Sequence, residues 1–256
     1  MTAMTQGVIF LGTRQVGRRC LEILLAQRAA LGLEVVEVVT KRPANAYLAR
    51  NADLAAVASA AGIPVAEDLA PSGSSVEFIL SVQHERVLSP DQLARATRLA
   101  VNLHMAPLPE YRGAGQFSFA ILNNESEFGT TLHLMEARVD AGGILAQRRF
   151  AIAADWTVQD LYEKTVEESV MMFTENLAPM MRGELRPRLQ SEFQSGRPLR
   201  FYRRSDLPAH KQLNLQWPLE RIDRTVRAFD MPGYEPAYVM FGNRRLYVRT
   251  RDLLAG

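Results

Sequence analysis

Short apolar runs at residues 8–12, 34–40, 76–82 and 100–105 alternate with stretches of helical periodicity, and this alternation restricts the fold more than any other feature. The run Val8-Ile-Phe-Leu ends in Gly12, as a buried strand should. After it, Val16, Cys20, Ile23 and Leu24 recur at helical spacing, which predicts a helix over 15–28. Residues 54–61 and 90–97 read as further helices, and Gly62-Ile-Pro-Val65 as extended chain. Parallel strands need a crossover connection, and a helix supplies it. The expected class is therefore α/β, a Rossmann-like, mostly parallel sheet with helices on both faces. Ligands of such sheets bind beyond the carboxyl ends of the strands, so the loops after Leu80, Met105 and Met135 mark the expected site.

The second half departs from this rhythm. Residues 130–136 and 144–152 read as an antiparallel strand pair around a Gly-rich turn. Thr157 and Asp160 open a long helix in capping-box fashion, and Pro179 should end or bend it. The stretch 182–204 holds seven arginines against two glutamates, with Pro187, Gly196 and Pro198, and reads as a loop or linker. A short helix at 219–230 and a hairpin of 237–241 with 244–248 across Gly242-Asn243 complete the chain. The expected division is a catalytic domain at 1–181 and a small C-terminal subdomain at 182–256, serving substrate binding or dimerisation. The apolar hairpin suits either a partner subunit in a homodimer or an intramolecular contact.

Composition narrows the setting. A net charge of +2 is too small to argue for nucleic acid or an anionic membrane as partner. The polar start at 1–7 lacks a signal-peptide pattern, and no run approaches the length of a membrane span, so a cytoplasmic protein is expected. One cysteine excludes an internal disulfide, and four scattered histidines give no zinc spacing, so no metal is expected.

Chemistry concentrates in Asn102, His104 and Asp140. Side chains two apart on a strand share a face, so Asn102 and His104 would lie together where the strand meets the loop Ala106-Pro-Leu-Pro109. Asp140 sits in the Gly-rich turn. Alone, each has a plain reading: a strand-end amide, a structural imidazole, an Asx turn. Together, an amide donor, an imidazole and a carboxylate suit acyl transfer to an amine, where charge develops on oxygen and a proton must leave nitrogen. His133 reads as structural or supporting, and Gly12-Thr-Arg-Gln-Val-Gly17 as a strand-to-helix turn, since it lacks the full dinucleotide pattern.

The combination Asn102-x-His104, Leu108-Pro-Glu-Tyr-Arg-Gly113 and Asp140-x-Gly142 resembles the formyltransferases that use 10-formyltetrahydrofolate, from about residue 8 to residue 248. The resemblance implies that Asn102, His104 and Asp140 are catalytic. It also implies that the co-substrate lies along the loop at 81–88 and the Asp140 turn, with His84, Glu85, Arg86, Val87, Leu88 and Gly142 as contacts. Phe201-Tyr-Arg-Arg204 and the stretch 227–239 are similar to the nucleotide-sugar N-formyltransferases. That implies an acceptor amine on a deoxyaminosugar carried by dTDP, UDP or GDP, and an N-formylated product for lipopolysaccharide or other surface polysaccharide. Arg112, Tyr202, Arg204 and Tyr234 are the expected substrate contacts. The arginine-rich run suits a diphosphate or a solvated linker equally. The segment after Arg200 is shorter than the β-barrel with which methionyl-tRNA formyltransferases hold tRNA. Two alternatives stand: another small amine such as hydroxyornithine as acceptor, or a non-catalytic folate- or nucleotide-binding module.

Overall fold

The structure, a computed structural model, describes residues 5–193 and 199–250. The first four residues of the polar start, the Gly196-Arg197-Pro198 part of the arginine-rich run and the end at 251–256 lie outside the described residues. Strand β1 (Gln6–Gly12) leads into helix α1 (Arg14–Gln27), β2 (Leu33–Val39), the short helices α2 (Ala46–Ala49) and α3 (Leu54–Ala60), and the two-residue β3 (Val65–Ala66). Strand β4 (Val76–Val82), helix α4 (Pro90–Ala94), strands β5 (Ala96–His104) and β6 (Tyr111–Gly113) and helix α5 (Gln116–Leu122) follow. The antiparallel strands β7 (Glu127–Leu134) and β8 (Ile144–Ala151) precede the long helix α6 (Val158–Arg182). Beyond it come β9 (Arg200–Tyr202), a 3-10 segment at Arg204–His210, α7 (Leu219–Phe229) and the hairpin β10 (Ala237–Phe241) and β11 (Arg244–Val248).

Among the described residues, seven strands form one sheet in the order β3-β2-β1-β4-β5-β7-β8. Pairing is parallel from β3 to β5 and antiparallel from β5 to β8. This is the mostly parallel α/β sheet that the alternation predicts. The order reverses between β1 and β4, which opens a crevice at their carboxyl ends.

Alternation along the strands sorts side chains between two faces. Val8 and Phe10 of β1 join Leu21 and Leu24 of α1 and Phe173 and Leu177 of α6 in the main core, whereas Ile9 and Leu11 face the opposite side with Leu69, Ile79 and Leu88. Each such side chain removed from water contributes roughly 1.5–3 kcal/mol. Helix cover is therefore unequal: α1, α3 and α6 carry one face, and short α4 with the chain around Leu69 the other.

Several local expectations need correction. The helix expected at 90–97 stops at Ala94, because Ala96 already pairs with Val76 and the strand begins four residues early. Helix α6 runs through Pro179 to Arg182, since a proline this late removes one hydrogen bond and Gly183, in the left-handed region, closes the end. The stretch 182–204 is not simply a linker: β9 pairs in parallel with β6, and a 3-10 turn spans Gln190–Phe193. Helix α5, Gln-Phe-Ser-Phe-Ala-Ile-Leu, is too short and too uniformly apolar for its period to show. Helix α7 packs on α5, with Val226 and Phe229 sharing a cluster with Phe119 and Ile121. That contact brings the C-terminal segment to the carboxyl edge of the sheet.

Candidate active site

Three neighbouring strands place one polar residue each in a row. Ser81 on β4 is registered against Asn102 on β5, and Asn102 against His133 on β7. Asn102 follows Ala100 by two residues and so shares its face, away from Val101 and Leu103 in the main core. The Ser81 hydroxyl donates to Asn102 Oδ1 at 2.9 Å, and Asn102 Nδ2 lies 3.1 Å from His133 Nε2. His133 Nδ1 lies 2.8 Å from the Leu134 carbonyl, which can only accept, so Nδ1 carries the proton. With the ring neutral, Nε2 is then an acceptor and the Asn102 amide its donor.

His104 stands two register positions further on, and so on the same face. Its Nε2–H donates to the Tyr111 carbonyl at 2.7 Å, which turns Nδ1 toward Asp140 Oδ1 at 3.7 Å. The same carboxylate oxygen lies 3.6 Å from His133 Nε2, so Asp140 faces both imidazoles. Neither gap is a hydrogen bond, but both are within strong Coulomb range in a buried site. Asp140 Oδ2 accepts the Gly113 N–H at 2.9 Å, which ties the turn after β7 to β6.

The turn itself is built for close approach. Asp140 has φ 51°, and a Cβ on Gly142 would stand 2.0 Å from the Leu134 carbonyl oxygen. Gln190 Nε2 donates to the carbonyls of Asp140 and Gly142, at 2.9 and 2.8 Å, while its Oε1 accepts from Arg112 at 2.6 Å. Arg112 thus braces the turn from behind.

Burial, reinforced by the neighbouring His104 and opposed by Asp140, pushes the His133 pKa down to about 4. For Asp140, burial acts to raise the pKa, but His104, the Gly113 N–H, His133 and Arg112 together hold it below the usual carboxylate value. The site therefore presents a neutral His133 and an ionised Asp140 at neutral pH. An amide N–H beside an imidazole and a carboxylate can stabilise a developing oxyanion and receive a proton from nitrogen.

These groups open onto a cavity of about 820 Å³ at the carboxyl ends of β1, β4 and β5. Asn102, His104 and Asp140 share its inner wall. His84, Glu85, Arg86, Val87 and Leu88 form a second wall, and Tyr202, Arg204 and Tyr234 a third. Gly142 and Arg112 stand behind the wall instead of in it. On the second wall Arg86 pairs with Asp68 at 2.7 Å, Glu85 lies 3.5 Å from Arg14, and burial lowers the His84 pKa. On the third, Tyr202 stacks between Phe119 and Tyr111, with ring centroids at 4.3 and 5.2 Å, while Phe201 beside it is exposed to the cavity.

Sequence reasoning alone does not single out the Ser81 side chain or Gln83. Ser81 had a signal, as a lone hydroxyl inside the apolar run Phe-Ile-Leu-Ser-Val of a buried strand. Gln83 has φ 57° and receives a 2.8 Å hydrogen bond from Arg14, itself at φ 63°. No residue type at these two positions announces the left-handed region, so their place at the sheet's crevice is visible only in three dimensions.

The model of the formyl transferase family matches residues 8–177. A methionyl-tRNA formyltransferase of Levilactobacillus brevis is 30% identical over 233 residues, covering 86% of this chain and 71% of the relative. A GDP-perosamine N-formyltransferase of Brucella melitensis is 26% identical over 242 residues, covering 91% of this chain and 89% of its own. Among solved structures, a sugar N-formyltransferase of a Shewanella species superposes with a TM-score of 0.75 at 19% identity, covering 96% of this chain and 97% of the other. A Helicobacter canadensis N-formyltransferase in complex with folinic acid and dTDP-3-aminofucose gives a TM-score of 0.76 at 20% identity, covering 95% and 86%. At such identities the superpositions speak for the fold, and the family match for ancestry. With Asn102, His104 and Asp140 gathered on one cavity wall of that fold, the chain belongs to the formyl transferase family.

Proposed function

We propose that this enzyme transfers the formyl group of 10-formyltetrahydrofolate to the amino group of a nucleotide-linked deoxyaminosugar, its carrier being dTDP, UDP or GDP. The observation that carries the reading is the convergence of Asn102, His104 and Asp140 on one wall of a cavity whose mouth holds aromatic and arginine side chains. The amine attacks the formyl carbon as the bond to the folate nitrogen breaks. Asn102 donates its free amide hydrogen to the formyl oxygen, on which charge builds, a contribution of about 3–4 kcal/mol for a well-placed donor. The proton lost by the amine passes to His104 Nδ1, with Asp140 stabilising the charged ring, and leaves with the departing folate nitrogen.

The co-substrate suits the wall of residues 84–88, where a flat heterocycle meets the buried Leu88 and loop backbone. The nucleotide sugar suits the mouth, where Phe201 and Tyr234 offer apolar faces and Arg203 and Arg204 offer charge to a diphosphate. On this reading residues 1–181 supply the chemistry and 182–256 the recognition, and the product is an N-formylated sugar nucleotide for surface polysaccharide. A relative that acts on GDP-perosamine and a structural neighbour holding dTDP-3-aminofucose support the acceptor class.

The test is an acceptor panel with 10-formyltetrahydrofolate as donor: dTDP-, UDP- and GDP-aminosugars, hydroxyornithine, and methionyl-tRNA, read by mass spectrometry. A gain of one formyl group on an aminosugar nucleotide is the expected result. Formylation of hydroxyornithine or methionyl-tRNA alone would refute the sugar reading and leave the chemistry standing.

A further inference from the structure

The Asn102 amide has two faces, and only one suits the proposed chemistry. With nitrogen toward the cavity it donates to a developing oxyanion; rotated by 180°, it would present an oxygen and repel that charge. Nothing in an isolated strand decides between these, since the amide ends are nearly equal in size. Here the acceptor Nε2 of His133 decides, and Ser81, whose hydroxyl can donate or accept, holds the other end in the matching sense. The Ser81 hydroxyl satisfies Oδ1 on the β4 side, and His133 Nε2 accepts one Nδ2 hydrogen on the β7 side. The second hydrogen is left for the cavity.

We propose that Ser81 and His133 are positioning residues that clamp the Asn102 amide with its nitrogen toward the reacting carbon. This rests on the formyl-transfer reading above, and it assigns the two side chains a role exerted through Asn102 alone. Each end of the clamp is anchored. Ser81 is buried in β4, and His133, 2% exposed, is fixed in its tautomer by the Leu134 carbonyl. The clamp requires a neutral His133. A proton on Nε2 would set donor against donor, and the relaxed arrangement would turn Oδ1 of Asn102 toward the ring. The titratable groups facing that ring are His104 and Asp140, with the Arg112 guanidinium further off.

The decisive experiment is a mutant cycle on the intact enzyme with both substrates saturating. Ser81→Ala should lower kcat about 3- to 10-fold and His133→Leu about 100-fold, with both KM values held within about twofold. His133→Gln, which keeps an acceptor at similar reach, should recover about 10-fold over His133→Leu. In an Asn102→Ala background none of the three should cost more than about twofold further, because the group they position is gone. Full additivity of any of them in that background would overturn the proposal, as would unchanged kcat for Ser81→Ala in the wild-type background. A measurement independent of turnover covers the case in which the enzyme formylates none of the acceptors tested. Long-range proton–nitrogen NMR of the His133 ring should report the neutral Nδ1–H tautomer at pH 7; an Nε2–H tautomer or an imidazolium would overturn the clamp whatever the substrate.

Discussion

On the inner wall of the cavity Asn102, His104, His133 and Asp140 each meet two or more polar neighbours, whereas at the mouth Phe201 and Tyr234 are 55% and 42% exposed and Arg203 and Arg204 are exposed where the chain enters a 3-10 segment. Asn102, His104 and His133 stand on adjacent strands, so their spacing is set by sheet register, and Asp140 stands in a turn held by Gly113 and Gln190. The outer groups stand on short elements outside the seven-stranded sheet, held by the three-residue pairing of β6 with β9 and by the packing of α7 on α5. Transition-state chemistry needs placement within fractions of an ångström, which a central strand provides, while recognition of different acceptors gains from segments that can be rebuilt without disturbing the core.

The contrast breaks first at its strongest point. Asn102→Ala should lower kcat by about 10² to 10³, the usual cost of a lost oxyanion donor, and His104→Ala and Asp140→Asn should fall in the same range. Thermal melts of Asn102→Ala and His104→Ala should stay near the wild type, so that activity and stability separate, whereas Asp140→Asn should also lose the stability that its depressed carboxylate contributes at neutral pH. Gly142→Ala tests the scaffold under the wall. Its Cβ would overlap the Leu134 carbonyl, so the turn must shift, and a loss of about 2–3 kcal/mol in denaturant unfolding is expected along with displacement of Asp140. A Gly142→Ala protein of wild-type stability and activity would show that the turn is looser than its contacts imply.

Acid should act on the inner wall in two stages. His133 has a folded pKa below its unfolded value, so between about pH 6.5 and about 4 the unfolded chain binds more protons and stability declines as pH falls. Asp140 is also depressed, and its contribution, present above the ordinary carboxylate pKa, is lost as pH falls further. Melting temperatures measured at pH 7, 5.5, 4.5 and 3.5 should drop stepwise, and His133→Gln should flatten the intervals above pH 4.5 while leaving the last one. An unchanged slope in that variant would remove His133 from the account.

The sheet and the Asn102–His104 pair were legible in the sequence because both obey short rules, while Asp140 joined them only through the family resemblance. Period two puts Asn102 beside His104, and strand–helix alternation puts both at a carboxyl edge. What the sequence hides is pairing across distance. Nothing in Gln190 announces that it will hold the Asp140 and Gly142 carbonyls, nor in Arg112 that it will brace Gln190 from behind the cavity wall. Ser81 and His133 were visible as polar letters in apolar strands, but their meaning depends on register, which puts one on either side of Asn102. The β9 pairing was masked by its composition, since Arg-Phe-Tyr between arginines reads as linker until Gly113 is seen packed against the Tyr202 carbonyl.

The smallest expected effects belong to the mouth, and they sharpen the comparison most. Arg204 is exposed, so the diphosphate contact proposed for it would be screened by water and salt and should be worth little more than a surface contact. Arg204→Ala should therefore raise the acceptor KM about 3- to 10-fold while kcat changes less than twofold. Added salt should raise the wild-type KM and narrow the gap between the two proteins. Tyr234→Ala should behave alike in KM but without the salt dependence, because an aromatic face contributes by burial and not by charge. Steady-state kinetics at two ionic strengths would read all of this. If Arg204→Ala instead lowered kcat by as much as Asn102→Ala, the mouth would be part of the chemistry, and the separation between a rigid catalytic wall and an adaptable recognition rim would fail.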